Sequence, residues 1–294
     1  MKNIIYIFIG LALFGCRDNS KEFPENYLDD LEAWKGERDV KLRAEDGYVN
    51  LVGLYWLQEG ENTIGSDTSN NVVFPAGASS RIGSVFLKDH EVVFECADDV
   101  EVVVDSFCLN GGVIYSEKDS VQTILTHGHY DWHIIERAGN YGIRLRDLNH
   151  PKTQEPLNMA YFHVSKDWII TAKYELFETP KTIKIDNIVG FNFDENIEGK
   201  LTFELDGQSY TLLPSVDDEG MFIMFADGTS GETTYGSGRY LMASLPDEEG
   251  NVILDFNKAY NPPCAFTEYA TCPLPPRENI LEVNIEAGEK RFGE

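Results

Sequence analysis

The sequence predicts a mainly β protein, an antiparallel sandwich-like or barrel-like body with one helix at its N-terminal end. Three observations predict it. From Tyr48 onward short apolar runs recur with Gly, Asn and Asp between them, as expected of short strands joined by tight turns. The segment LTFELDGQSYTLL alternates apolar and polar residues around Asp206-Gly207, a dipeptide suited to a two-residue hairpin turn. Only residues 25–46 carry helical spacing, with Leu28, Leu31, Trp34 and Leu42 near one face. No repeat of a propeller or solenoid is visible.

The chain opens MKNIIYIFIGLALFGC. One lysine precedes an apolar run of signal-peptide length, too short to span a bilayer. The run ends Leu13-Phe14-Gly15-Cys16, which resembles a bacterial lipobox. That resemblance implies a signal peptide over residues 1–15 and cleavage before Cys16. The Cys16 thiol would carry diacylglycerol, and the new amino group a further acyl chain such as palmitate. Acyl chains in that number anchor a protein stably, so the expected location is extracytoplasmic, lipid-anchored in the bacterial cell envelope. The membrane, reached through this lipid, is then a partner. Residues 16–24 are polar and aperiodic and read as a tether, with Pro24 just ahead of the helix, where proline is tolerated. Gly36 is the weak point of the helix.

The formal net charge is −26, and loss of residues 1–15 would remove Lys2 and no acid. Such a surface repels a phosphate backbone, so nucleic acid is excluded as a partner.

Strands are expected at 51–57, 71–74, 82–87, 91–95, 100–104, 121–126, 132–137, 142–146 and 168–176. Further ones are expected at 183–192, 200–205, 209–213, 221–226, 239–244, 251–256 and 280–285. Asn140 and Gly142 suggest a reversal between IIER and IRLRD. The polar stretch LFETPKT (176–182) is the candidate boundary between a first β subdomain, 47–178, and a second, 179–294.

The run EGENTIGSDTSNNVVFPAGASSRIGS (59–84) is similar to the start of forkhead-associated domains. Ser66 stands where that family has its phosphate-contacting arginine, and Gly83 where it has a histidine. The resemblance therefore implies the fold without phosphothreonine binding. FADGTSGETTYGSGRYL, LDFNKAYNPPCAFTEYATCPLPPREN and IEAGEK resemble the domain of unknown function 1684 family. GLYWLQEGENTIGSD and GIRLRD fit the same family, so the likeness extends over nearly the whole mature chain. It implies no activity, and the residues must supply the chemistry.

Residues 261–279 (NPPCAFTEYATCPLPPREN) hold five prolines in nineteen positions. Each fixes φ and removes a donor, and pushes its predecessor out of the helical region. The result is a stiff irregular lid. Cys264 and Cys272 within it can pair as a disulfide, closing a ring worth about 2.6 kcal/mol of chain entropy, remain as buried thiols, or serve a metal or catalytic role. Cys96 and Cys108 read as core residues, although they too could pair. His127, His129 and His133 share parity with Asp131, which one unbroken strand would turn into a metal-like face. Gly128 suggests instead a hairpin tip and surface residues, and no metal or other cofactor is expected.

The remaining candidates are polar residues at strand ends: Arg144, Arg146 and Asp147; Asp227 and Thr229, with Tyr235 and Arg239 after a Gly-rich turn; and Asp255, Asn257 and Asn261. If these ends converge, they form a charged pocket beneath the lid. The arginines would fork onto structural carboxylates or onto an anionic ligand. The leading expectation is a pocket for a small polar or anionic ligand. The alternatives are a hydrolase with Asp227 or Asp255 as base and Arg144, Arg146 or Arg239 as clamp, and a purely structural envelope protein. No G-x-S-x-G nucleophile motif is present.

Overall fold

A computed structural model describes residues 23–118 and 121–293. The lipobox, Cys16 and most of the tether lie outside the described residues. Among the described residues the body is mainly β, built of largely antiparallel sheets around two main apolar cores, with one α-helix, Tyr27–Arg43. Among the described residues no helix is long and apolar enough to cross a membrane.

The first core lies between two sheets. One has six strands in the order Leu51–Trp56, Asn140–Asp147, Tyr130–Arg137, Leu125–His127, Val103–Val104 and Phe107–Cys108. The other has five: Val72–Val73, Gly60–Gly65, Gly83–Lys88, Glu91–Cys96 and Gly111–Ser116. Trp132, Ile134, Ile143 and Leu145 are buried between them, with Phe74 and Phe94 edge-on to Trp132. Gly83 occupies a place where a Cβ would meet the Glu95 carbonyl oxygen at 2.2 Å. The neighbouring strand thus excludes any side chain at this position. Ser66 spends its hydroxyl on the Ala78 carbonyl at 2.8 Å.

The second core is enclosed by two further sheets. The strands Gln208–Leu212, Asn192–Leu205, Ile169–Asp186 and Asn251–Asp255 form one. Ser215–Asp217, Gly220–Phe225 and Arg239–Ala243 form the other. The hairpin at Asp206-Gly207 has φ of 52° and 77°, both positive, as the favoured two-residue turn requires.

Several boundaries differ from expectation. The stretch 176–182 is no linker, because Ile169–Asp186 runs through it as one strand with a register shift between Leu176 and Lys181. The division falls instead between Asp147 and Ile169, where the chain leaves one core and enters the other. The reversal assigned to Asn140 and Gly142 is made by Ala138 and Gly139, at φ 51° and 79°. Residues 280–285 are no strand: Ile280 forms a single bridge to Ala226. Cys108 is exposed rather than in the core.

The helix buries Leu31 and Leu42 and leaves Leu28 exposed. Polar clamps fix it to the second body. The Tyr27 hydroxyl donates to Asp255 at 2.9 Å, and Arg38 pairs with the buried Glu289 and donates to the Asn261 carbonyl at 2.7 Å.

Candidate functional site

The hairpin Tyr130–Arg137/Asn140–Asp147 builds the site. Its register places Asp131 opposite Arg146, His133 opposite Arg144, and Arg137 opposite Asn140. Strand side chains alternate between faces. Trp132, Ile134, Ile143 and Leu145 therefore enter the first core, while His133, Arg137, Arg144 and Arg146 share the other face. That second face is covered as well, by the second body and the proline-rich lid. The result is a basic surface turned inward in an acidic protein.

A cavity of about 200 Å³ lies there. Arg137 and Arg144 line it from the first body, Phe222 and Tyr240 from the second, and Thr271 and Cys272 from the lid. Thr271 Oγ1 accepts from Arg137 Nε at 3.0 Å and from Arg144 Nη2 at 3.2 Å. One hydroxyl oxygen so joins two guanidiniums, and its own proton is left to be donated. Arg146 is held behind them by the Gly47 and Asp46 carbonyls at 3.3 and 2.9 Å and by His133 Nδ1 at 3.2 Å.

Among the described residues none of these three arginines pairs with a carboxylate. Arg144 is only 8% exposed, and its buried Nε has no hydrogen-bond partner. Burial, then the charges of Arg137 and Arg146, pull the Arg144 guanidinium down to about 10. The same causes, burial first and then Arg146, Arg144 and Arg137, hold His133 down to about 3. A buried cation that lacks a counter-charge is costly, and an anion in the cavity would supply one.

The lid is pinned where it meets the cavity. The Cys272 carbonyl accepts from Ile188 N at 3.0 Å, Pro273 from the Tyr240 hydroxyl at 2.8 Å, and Leu274 N donates to Asp186 at 2.8 Å. At its far end the buried Asn279 donates to the Leu213 and Met224 carbonyls at 2.9 and 2.8 Å. The Asn279 carbonyl accepts from Ala226 N at 3.1 Å, so the lid lies across the end of Gly220–Phe225.

The other strand-end residues do not reach this cavity. Arg239 and Asp227, both fully buried, pair at 2.8 Å. Arg239 also donates to the carbonyls of Ala287 and, at 2.9 Å, Ile285. Asp227 accepts from Thr229 N and Oγ1 at 2.7 and 2.6 Å. This cluster fastens the C-terminal segment to a strand end. Asp255 is engaged by Tyr27 and by Asn257 N at 3.2 Å, while Asn257 Nδ2 donates to Ser165 at 2.9 Å. Asn261 N donates to Glu289 at 2.7 Å. Asp147 caps its turn by accepting from Asn149 N at 2.9 Å, and the Tyr235 hydroxyl donates to the Cys264 carbonyl at 3.1 Å. Of the predicted residues, Arg144 lines the cavity and Arg146 backs it. Arg137, Thr271, Tyr240 and Cys272 are additions; Arg137 shares the parity of His133 along the same strand, a signal already present in the sequence.

The histidines separate. His127 Nδ1 lies 2.9 Å from the Glu101 carbonyl, His129 stacks on Tyr130, and His133 meets Arg146. Among the described residues no group of three or more His, Cys, Asp or Glu could hold a metal. Cys264 and Cys272 are free thiols in this structure.

Fold and site thus define a two-core β protein with an arginine-lined cavity closed by a proline-rich lid. Residues 157–290 match the family described as protein of unknown function (DUF1684). The matched span begins at the division between the two bodies, so the first-body segments GLYWLQEGENTIGSD and GIRLRD fall outside it. An uncharacterised protein of Haloarcula marismortui, solved by NMR, is 32% identical over 45% of this chain and 75% of its own, with a TM-score of 0.38. The FhaA FHA domain complexed with the intracellular domain of Rv3910 is 15% identical, over 32% of this chain and 97% of its own, with a TM-score of 0.23. An FHA domain from a study of phosphothreonine-dependent interactions is 16% identical, over 33% and 95%, also at 0.23. No curated protein matches the chain.

Proposed function

We propose that this protein binds a small anion in the cavity beneath residues 261–279, as a lipid-anchored protein of the bacterial cell envelope. The observation that carries the binding reading is the carboxylate-free pair of half-buried Arg137 and buried Arg144, with the unpartnered Nε of Arg144. A carboxylate or phosphate would take its oxygens to the two guanidiniums and the Thr271 hydroxyl. The rest of the ligand would lie against Phe222 and Tyr240. At about 200 Å³ the cavity is smaller than the roughly 300–1,000 Å³ of drug-sized sites, which favours a compact ligand.

Asp227 and Asp255, the bases a hydrolase would use, are committed to Arg239 and to Tyr27 and do not line the cavity. The binding reading is therefore preferred to the hydrolytic one.

Calorimetric titration with acetate, benzoate and inorganic phosphate tests it. At least one should bind, and Arg144→Met should weaken that binding by about 10–100-fold, the value of one charge-assisted hydrogen bond. Absence of binding by all three, or equal binding to the variant, would refute the reading. The anchor rests on the lipobox resemblance alone. Cys16→Ala should abolish fatty-acid labelling, and normal labelling of that variant would remove the lipoprotein assignment.

A further inference from the structure

The lid holds a second arrangement that anion binding does not use. Cys264 and Cys272 lie eight residues apart in sequence, yet Cys264 N donates to Cys272 Sγ at 3.0 Å, so the two cysteines meet inside the lid. Their settings differ. Cys264 is half-buried and lines a separate cavity of about 450 Å³, walled by Ile188, Val189 and Phe266. Cys272 is 4% exposed and sits behind it, in the wall of the arginine cavity. Pro263 and Pro273 flank the pair and fix the backbone on each side.

From this juxtaposition we propose that Cys264 and Cys272 form a thiol–disulfide exchange centre, with Cys264 as the attacking thiol and Cys272 as the resolving one, acting on a disulfide-bonded substrate that enters the Ile188/Phe266 cavity. Cys264 sulfur, having lost its proton to solvent, attacks one sulfur of R–S–S–R′. The Cys264–S–R bond forms as the substrate S–S bond breaks, and R′–S⁻ leaves, to be protonated by the Cys272 thiol. Cys272 sulfur then attacks Cys264 sulfur, forming the intramolecular disulfide and releasing R–S⁻, which takes a proton from water. Two electrons pass from the protein dithiol to the substrate disulfide, and an external dithiol returns them.

The electrostatics agree with this division of labour. The hydrogen bond from Cys272, followed by the Tyr235 hydroxyl, lowers the Cys264 thiol against the opposing effect of burial. Cys272 is raised, first by the bond to Cys264 and then by burial. The thiolate is the species that attacks, so the accessible sulfur is the better prepared one.

Oxidised glutathione, added to the reduced full-length protein and followed by acid quenching and peptide mass mapping, provides the test. Wild type should show a transient glutathione adduct at Cys264 that converts to a Cys264–Cys272 disulfide, and excess reduced glutathione should reopen that disulfide. Cys272→Ser should accumulate the Cys264 adduct, whereas Cys264→Ser should leave Cys272 unmodified. The wild-type time course decides the matter even where a variant fails to fold. Adducts confined to the exposed Cys108 or appearing first at Cys272 would overturn the proposal. So would a disulfide that excess reduced glutathione leaves intact, which would mark the pair as a permanent staple.

Discussion

Arg239 and Arg144 are both buried guanidiniums on strands, and their surroundings are opposite. Arg239 has a carboxylate at 2.8 Å and carbonyls of the C-terminal segment around it. Arg144 has a threonine hydroxyl, two neighbouring arginines and no carboxylate. A buried charge that the fold itself neutralises reads as structure, while one left without a counter-charge reads as a place kept for something that arrives. The sequence presents the two alike, since each is an arginine at a strand end near an aspartate.

Removing the counter-charge of the neutralised arginine should have the largest effect. Asp227→Ala strands Arg239 and frees the segment it holds, and should cost about 3–5 kcal/mol in urea unfolding. A loss under about 1 kcal/mol would dissolve the contrast. Arg144→Met, by comparison, should leave stability unchanged or raise it.

Acid should probe the other side of the comparison. His133 has its folded value near 3 against an ordinary 6.5, so the unfolded chain binds a proton that the folded one refuses. Its contribution is present in full above about pH 6.5 and is lost as pH falls toward 3. The loss is at most about 5 kcal/mol, and His133→Gln should flatten that part of the stability profile. A profile identical to wild type would show that burial and the arginine cluster do not hold His133 neutral.

The smallest effect is expected at Thr271→Val, which keeps the shape but removes the oxygen shared by Arg137 and Arg144. Anion binding should weaken about tenfold, with unfolding shifted by no more than about 1 kcal/mol. Unchanged affinity would take Thr271 out of the site.

Much of this was legible in the sequence, for a physical reason. Arg144 and Arg146 stand out because they put charge on alternate positions of a strand whose other positions are apolar. Such a pattern is normally a solvated face, and only the second body and the lid reveal it as an inner one. Asp227 and Arg239 were visible for the same reason. Their carbonyl partners lie at 285–287, 46 and 48 residues beyond Arg239, and no local pattern carries that information. The stretch 176–182 was misread because a strand in a hairpin that projects from its core has polar residues on both faces and so resembles a linker. Helix spacing found Leu31 and Leu42, but it could not find Tyr27 or Arg38, whose partners are Asp255 and Glu289.

Those helix contacts bear on the order in which the chain is made. Arg38 and Glu289 are 251 positions apart, and a protein synthesised from its N-terminus exposes Arg38 long before Glu289 exists. Domains fold as they emerge, and contacts of long sequence separation come late and slowly. The first body, whose core spans residues 64–145, can close early in synthesis. The helix that precedes it must wait, undocked, until the last of the chain has been added.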